Sequence, residues 1–202
     1  MPTQLTVFNA ALGLLGQPMV ETVDDTGEDA LVLRGHWEPV ALRCHEATAW
    51  DHAKLRDELA RLEATPTHGY DYYYALPSDL LRLLWISETG AVGDELLGYS
   101  VEVGKVATSA ETLFISYVSE TSVSSVGRWS ETFAHWVATE LAFMAAPKLA
   151  PGRLDEIKVE RKKAKSEAIG LDATQGPPQR RRHGAWSSAA RGNYLNPSRE
   201  QS

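Results

Sequence analysis

The first apolar positions of the chain recur at helical spacing. Val7, Phe8, Ala11, Leu12 and Leu15 share one face, and Gly16 followed by Pro18 reads as a C-terminal stop. A helix so short and so apolar has to pack on something. The longest helical pattern follows, from Glu28 to Ala64. Asp25 and Thr26 can cap its start, and Glu28 and Asp29 suit the positive end of the dipole. Pro39 removes one ladder hydrogen bond and predicts a kink or break near Trp37. The far half carries Leu42, Ala49, Trp50, Ala53, Leu59 and Leu62 on an apolar side, and Thr65-Pro66 ends it.

The period then changes. Leu80–Ile86, Tyr99–Val103 and Leu113–Val118 read as strands, with a tight turn at Gly104-Lys105 between Val103 and Val106. Three or four short antiparallel strands are expected, and the glycine-bearing loop Ser87–Gly98 is expected to be exposed. Helix returns at Ser130, where Trp129, Phe133, Trp136, Val137, Leu141 and Met144 form an amphipathic stripe punctuated by Pro147 and Pro151. Leu154 to Ile169 reads as a charged helix with Ile157, Ala164 and Ala168 on a narrow apolar side. After Gly170 the periodicity fades.

These elements predict an α+β fold, predominantly helical. A domain over 1–170 would combine a helical bundle (1–66 and 129–170) with a small antiparallel β subdomain (70–120). Residues 171–202 would form an extended basic C-terminal arm, disordered alone and ordered on a partner. The 202 residues are enough to bury one sizeable core, and 43% apolar with 23% charged content is that of a globular protein.

Charge sharpens the division. Residues 1–150 carry nine Lys and Arg against 21 Asp and Glu, a net −12, while residues 151–202 carry 11 against six, a net +5. Arg180, Arg181, Arg182 and His183 make the sharpest basic cluster, and Trp186 and Tyr194 are poor choices for a merely solvated tail. A basic anchor with two aromatic plugs fits an acidic groove on another protein. The same electrostatics would serve nucleic acid, with steep salt dependence.

Turnover chemistry finds no foothold, and no enzyme is expected. There is no G-x-S-x-G elbow, P-loop or dinucleotide glycine fingerprint. His45-Glu46-Ala47-Thr48 has alanine, Ala49, where a zinc-protease helix needs its second histidine. The histidines therefore read as structural or solvated, and no metal or cofactor is expected. Cys44, the single cysteine, rules out an internal disulfide and reads as a buried structural thiol. The N-terminal apolar stretch is too short to span a bilayer, so no membrane is expected.

Asn9-Ala10-Ala11-Leu12-Gly13-Leu14-Leu15-Gly16-Gln17-Pro18, Val23-Asp24-Asp25, Thr48–Ala53, and above all Gly69–Leu83 (G-Y-D-Y-Y-Y-A-L-P-S-D-L-L-R-L) occur in one order and spacing. Together with Tyr99-Ser100-Val101-Glu102-Val103-Gly104 and the Trp129–Leu149 helix, this pattern resembles the head-to-tail adaptor (connector) family of tailed bacteriophages, the tail tubular protein A type. It covers most of residues 5–170. Ala49 stands where proline is often found, and Leu80 where cysteine is common; both are packing substitutions.

The resemblance implies a virion protein of the neck, at the portal vertex, assembled in the host bacterial cytoplasm. It would form a dodecameric ring under the portal protein, extend the DNA channel, and offer a platform to a tail or nozzle protein. Viral DNA would pass without specific binding, for which an acidic lining is suited. Portal docking would fall to Arg180, Arg181, Arg182, His183, Trp186 and Tyr194. An unpaired strand edge or the Ser87–Gly98 loop would face neighbours or the tail. Tyr70, Tyr72, Tyr73, Tyr74, Pro77 and Asp79 are expected to form the packed seam between bundle and sheet. The rival class is a nucleic-acid-binding packaging or regulatory factor that uses the basic tail; an enzyme with a cryptic carboxylate site comes third.

Overall fold

The computed structural model of the protein describes residues 1–91, 94–96 and 98–175. It is an α+β fold of helices and two three-stranded antiparallel sheets, with strand orders β1-β6-β3 and β2-β5-β4.

Helix α1 (Gln4–Leu15) starts on a reciprocal cap, in which Thr3 Oγ1 accepts from the Thr6 N–H and Thr6 Oγ1 accepts from the Thr3 N–H. It stops where the sequence requires. Gly16 takes φ 73°, its N–H reaches Gly13 O, and the Gln17 N–H reaches Leu12 O, which serves two of the helix's free carbonyls. The apolar face of α1 is buried as its spacing demands.

Helix α2 (Glu28–Glu46) runs as one element through Pro39. The expected break is absent because Gly35, whose carbonyl loses its partner, lies on the exposed side where water can serve it. The expected continuation to Ala64 is also absent. Trp50 turns back and its indole N–H donates 2.8 Å to Cys44 O, satisfying one of the last carbonyls that another helical turn would have used. Beyond a single 3₁₀ turn the chain becomes β1 (Lys54–Glu58), an edge strand with every residue exposed. Its K-L-R-D-E sequence has no strand pattern; pairing along β6 imposes the extended form.

Strands β2 (Tyr72–Ala75), β3 (Leu80–Ser87), β4 (Tyr99–Glu102), β5 (Lys105–Thr108) and β6 (Phe114–Ser119) complete the sheets. The β4–β5 hairpin turns on Val103-Gly104, with Gly104 at φ 69°. Two irregularities in β3, between Leu80 and Arg82 and between Leu83 and Trp85, reset its faces. They explain why its apolar run does not alternate. Leu81 and Leu84 turn to the helices, and Leu80, Leu83 and Ile86 to the other sheet. The sheet β1-β6-β3 is thus a middle layer: Val118 of β6 belongs to the helical core, while Ile115 and Tyr117 pack with Tyr74 and Val106 of the second sheet.

After the short α3 (Thr121–Ser124), α4 (Glu131–Leu149) starts on Ser130, whose Oγ accepts from the Phe133 N–H at 3.2 Å. The expected stripe is present, but α4 is buried nearly all round, against α1, α2 and α5 (Leu154–Gln175). Alanines 134, 138, 142, 145 and 146 let those neighbours approach, and α5 meets it through Ile157, Ala164 and Ala168.

Candidate functional site

The tyrosine stretch lies in and just before β2. Tyr72 and Tyr74 point to the inter-sheet core, where Tyr74 is buried and its hydroxyl donates 2.8 Å to Ala110 O. Tyr73, one residue out of phase, turns to the opposite face, where the Lys105 ammonium sits 3.6 Å from its ring centroid; Arg61 lies 3.5 Å over Tyr72. Tyr70 and Pro77 are half-buried. The expected bundle–sheet seam is therefore corrected. These rings belong to the junction between the two sheets, and Leu81, Leu84 and Val118 meet the helices instead. The reason is that the sheet lacking tyrosines in its outer strands, β1-β6-β3, is the one inserted against the bundle.

Asp79 does stand at the bundle. Its carboxylate accepts from Ser119 Oγ and, at 3.5 Å, from the Tyr117 hydroxyl, and its carbonyl accepts the Glu120 N–H at 2.8 Å. It opens onto a cavity of about 450 Å³ between α2 and α3, lined by Trp37, Leu42 and Val123 together with Glu38, Asp79 and Glu120. Trp37 is fixed from behind by stacking on Trp129 at 5.7 Å and by the edge of Phe8 at 5.6 Å. The result is an acidic cleft with a rigid apolar floor.

A second constellation went unseen in the sequence. Glu140 of α4 is 3% exposed, and its Oε1 accepts from Arg161 Nε at 2.6 Å and from the Trp136 indole N–H at 3.1 Å. Its Oε2 faces Arg43 Nη2 at 3.2 Å. One carboxylate thus ties α2, α4 and α5 together. The Trp136–Glu140 spacing of one helical turn was visible, but the arginines come from distant parts of the chain.

His45 and His52 meet across the end of α2. His45 Nδ1 donates 2.7 Å to Ala41 O, which leaves Nε2 as an acceptor for His52 Nε2–H at 3.4 Å. Trp50, Trp129 and Phe133 enclose the pair. Burial pushes His45 below the ordinary imidazole value; burial and the neighbouring His45 bring His52 down to about 4. Cys44 is buried, and burial with nearby Glu140 pushes its thiol up, away from reactivity. Among the described residues there is no group of three His, Cys, Asp or Glu placed to hold a metal. No helix of the described residues is long and apolar enough to cross a membrane.

Arg180, Arg181, Arg182, His183, Trp186 and Tyr194 lie outside the described residues. No family model and no curated protein matches the chain.

Proposed function

We propose that this protein is a bacteriophage head-to-tail adaptor, a ring-forming virion protein beneath the portal that extends the DNA channel and carries the tail. One observation carries the reading: the residues of the resemblance hold the joints of a single framework. Asn9 brackets Val20 from both sides, accepting its N–H at 2.9 Å and donating to its carbonyl at 3.1 Å. Gln17 donates 2.8 Å to Leu149 O, fastening the end of α1 to the end of α4. Asp79 fastens the β2–β3 connection to the start of α3. Three members of the pattern that resembles that family thus each close a joint of the fold, which supports the reading.

The acidic body supports a channel role, because like charge keeps phosphates from sticking. The β4–β5 hairpin supports ring contacts. Val101, on a strand at the edge of its sheet, is 52% exposed, and Val103, in the turn that follows, is 99% exposed. Of the two surfaces the sequence left open, this edge is the better candidate for neighbouring subunits or the tail. The basic residues Arg180, Arg181 and Arg182 would then meet the portal.

Electron microscopy of the protein mixed with its portal protein tests the reading. A ring stacked coaxially on the portal is expected, and Arg180→Glu, Arg181→Glu and Arg182→Glu together should abolish stacking. Absence of any ring would overturn the proposal. Tight, steeply salt-dependent binding of bare duplex without a portal would instead favour the packaging or regulatory factor.

A further inference from the structure

The cleft between α2 and α3 carries charge of one sign. Glu38, Asp79 and Glu120 line it over the floor of Trp37, Leu42 and Val123, and no Lys, Arg or His is among the lining residues. Among the described residues none of these three carboxylates makes an ion pair. Asp79 is held in place by Ser119 and Tyr117, so its charge cannot swing away. A site of this kind suits a peptide that offers guanidinium groups and one flat apolar side chain.

The chain contains such a peptide. Arg180, Arg181 and Arg182 are followed four residues later by Trp186. It departs from α5, whose last turns are tied to the 3₁₀ turn that follows α2: Asp172 accepts the Asp51 N–H at 3.1 Å. From the adjoining His52 the cleft is three ring-to-ring steps away, 5.4 Å to His45, 5.3 Å on to Trp129 and 5.7 Å on to Trp37. Trp186 is 11 residues beyond Gln175, and at about 3.3 Å per extended residue it can reach about 35 Å. Arg180 to Arg182, five to seven residues beyond Gln175, reach about 17–23 Å before their side chains extend, and the three steps bound the His52–Trp37 separation at about 16 Å.

We propose that the segment Arg180–Trp186 docks in the acidic cleft of its own protomer, its arginines on Glu38, Asp79 and Glu120 and Trp186 over the floor. The docked segment is withheld from other partners, and whatever takes it, a portal or another acidic surface, must first displace it. The inference stands whether or not the adaptor reading does.

The test uses the full chain with Ser188→Cys carrying a nitroxide; Cys44, 1% exposed, does not compete for the label. Relaxation broadening of the Thr121, Val123 and Ser124 amides is expected. Glu38→Lys with Glu120→Lys should remove it while the rest of the amide spectrum stays folded, and adding Arg180→Glu, Arg181→Glu and Arg182→Glu should restore it. No broadening, or broadening that survives charge reversal, would overturn the proposal. So would broadening of a spin-free, isotope-labelled copy mixed with the labelled one, because that places the segment on a neighbouring chain. Portal stacking is read separately, so loss of one result leaves the other intact.

Discussion

Two glycines of α1, three residues apart, are expected to respond to the same substitution with opposite sign. Gly16 sits at φ 73°, and an added Cβ would lie 3.0 Å from Arg153 Nη1, so Gly16→Ala should cost about 1–2 kcal/mol. Gly13 is an exposed helix-interior residue with open space around it, and Gly13→Ala should stabilise by about 0.5–1 kcal/mol. Urea midpoints of the two variants decide it. Tyr74→Phe removes only a hydroxyl, yet leaves the buried Ala110 carbonyl without its donor, and should cost about 1–2 kcal/mol. The histidine pair predicts a pH dependence. Both folded-state values lie below the unfolded 6.5, so the unfolded chain takes up protons first as pH falls. Stability should be whole above pH 6.5 and decline as pH drops toward the folded values, by about 1.4 kcal/mol per pH unit for each excess proton. Urea midpoints between pH 7 and 5 read the slope before most carboxylates titrate, and a flat profile would contradict the assignment.

Among the elements, α1 was legible because its burial follows one short period, α4 because its large apolar residues do although its alanines bury the remaining sides, and α5 as far as Ile169, its continuation to Gln175 falling in the stretch expected to be an extended arm. The extension of α2 was misread for a physical reason. Trp50, Ala53 and Leu59 are buried as their helical spacing suggested, but Trp50 and Ala53 enter the helical core at a 3₁₀ turn, whereas Leu59, just past β1, enters the core between the sheets. β1 could not be read at all, since nothing in Lys54–Glu58 asks for a strand and its partner lies about sixty residues away. The Glu140 clasp was hidden likewise. Its members are unequal, and that is testable. Glu140→Ala strands the Trp136 N–H and removes the shared counter-charge of two arginines, for a loss of about 3 kcal/mol. Arg43, with a side chain 52% exposed, can return to water, so Arg43→Ala should cost under about 1 kcal/mol. Thermal unfolding of the two variants separates them; equal losses would mean the carboxylate does not act as a hub.

For the whole molecule, the apolar hairpin tip is the surface to probe for assembly. Val101→Lys with Val103→Lys should leave the melting temperature unchanged, since neither side chain is buried, yet weaken ring formation seen by sedimentation. The cleft was not legible beforehand because its walls come from α2, the β2–β3 connection and α3, which only the fold brings together. The middle-layer position of β1-β6-β3 has a kinetic consequence. β6 is hydrogen-bonded on both sides and contributes to both cores, so its amides can exchange with solvent only when helices and sheets open together. β4, bonded on one side and packed on the core only through Tyr99, can open alone. Deuterium should enter β4 first and β6 last of all the strands, and the lag between them measures how tightly the two halves of the molecule are coupled.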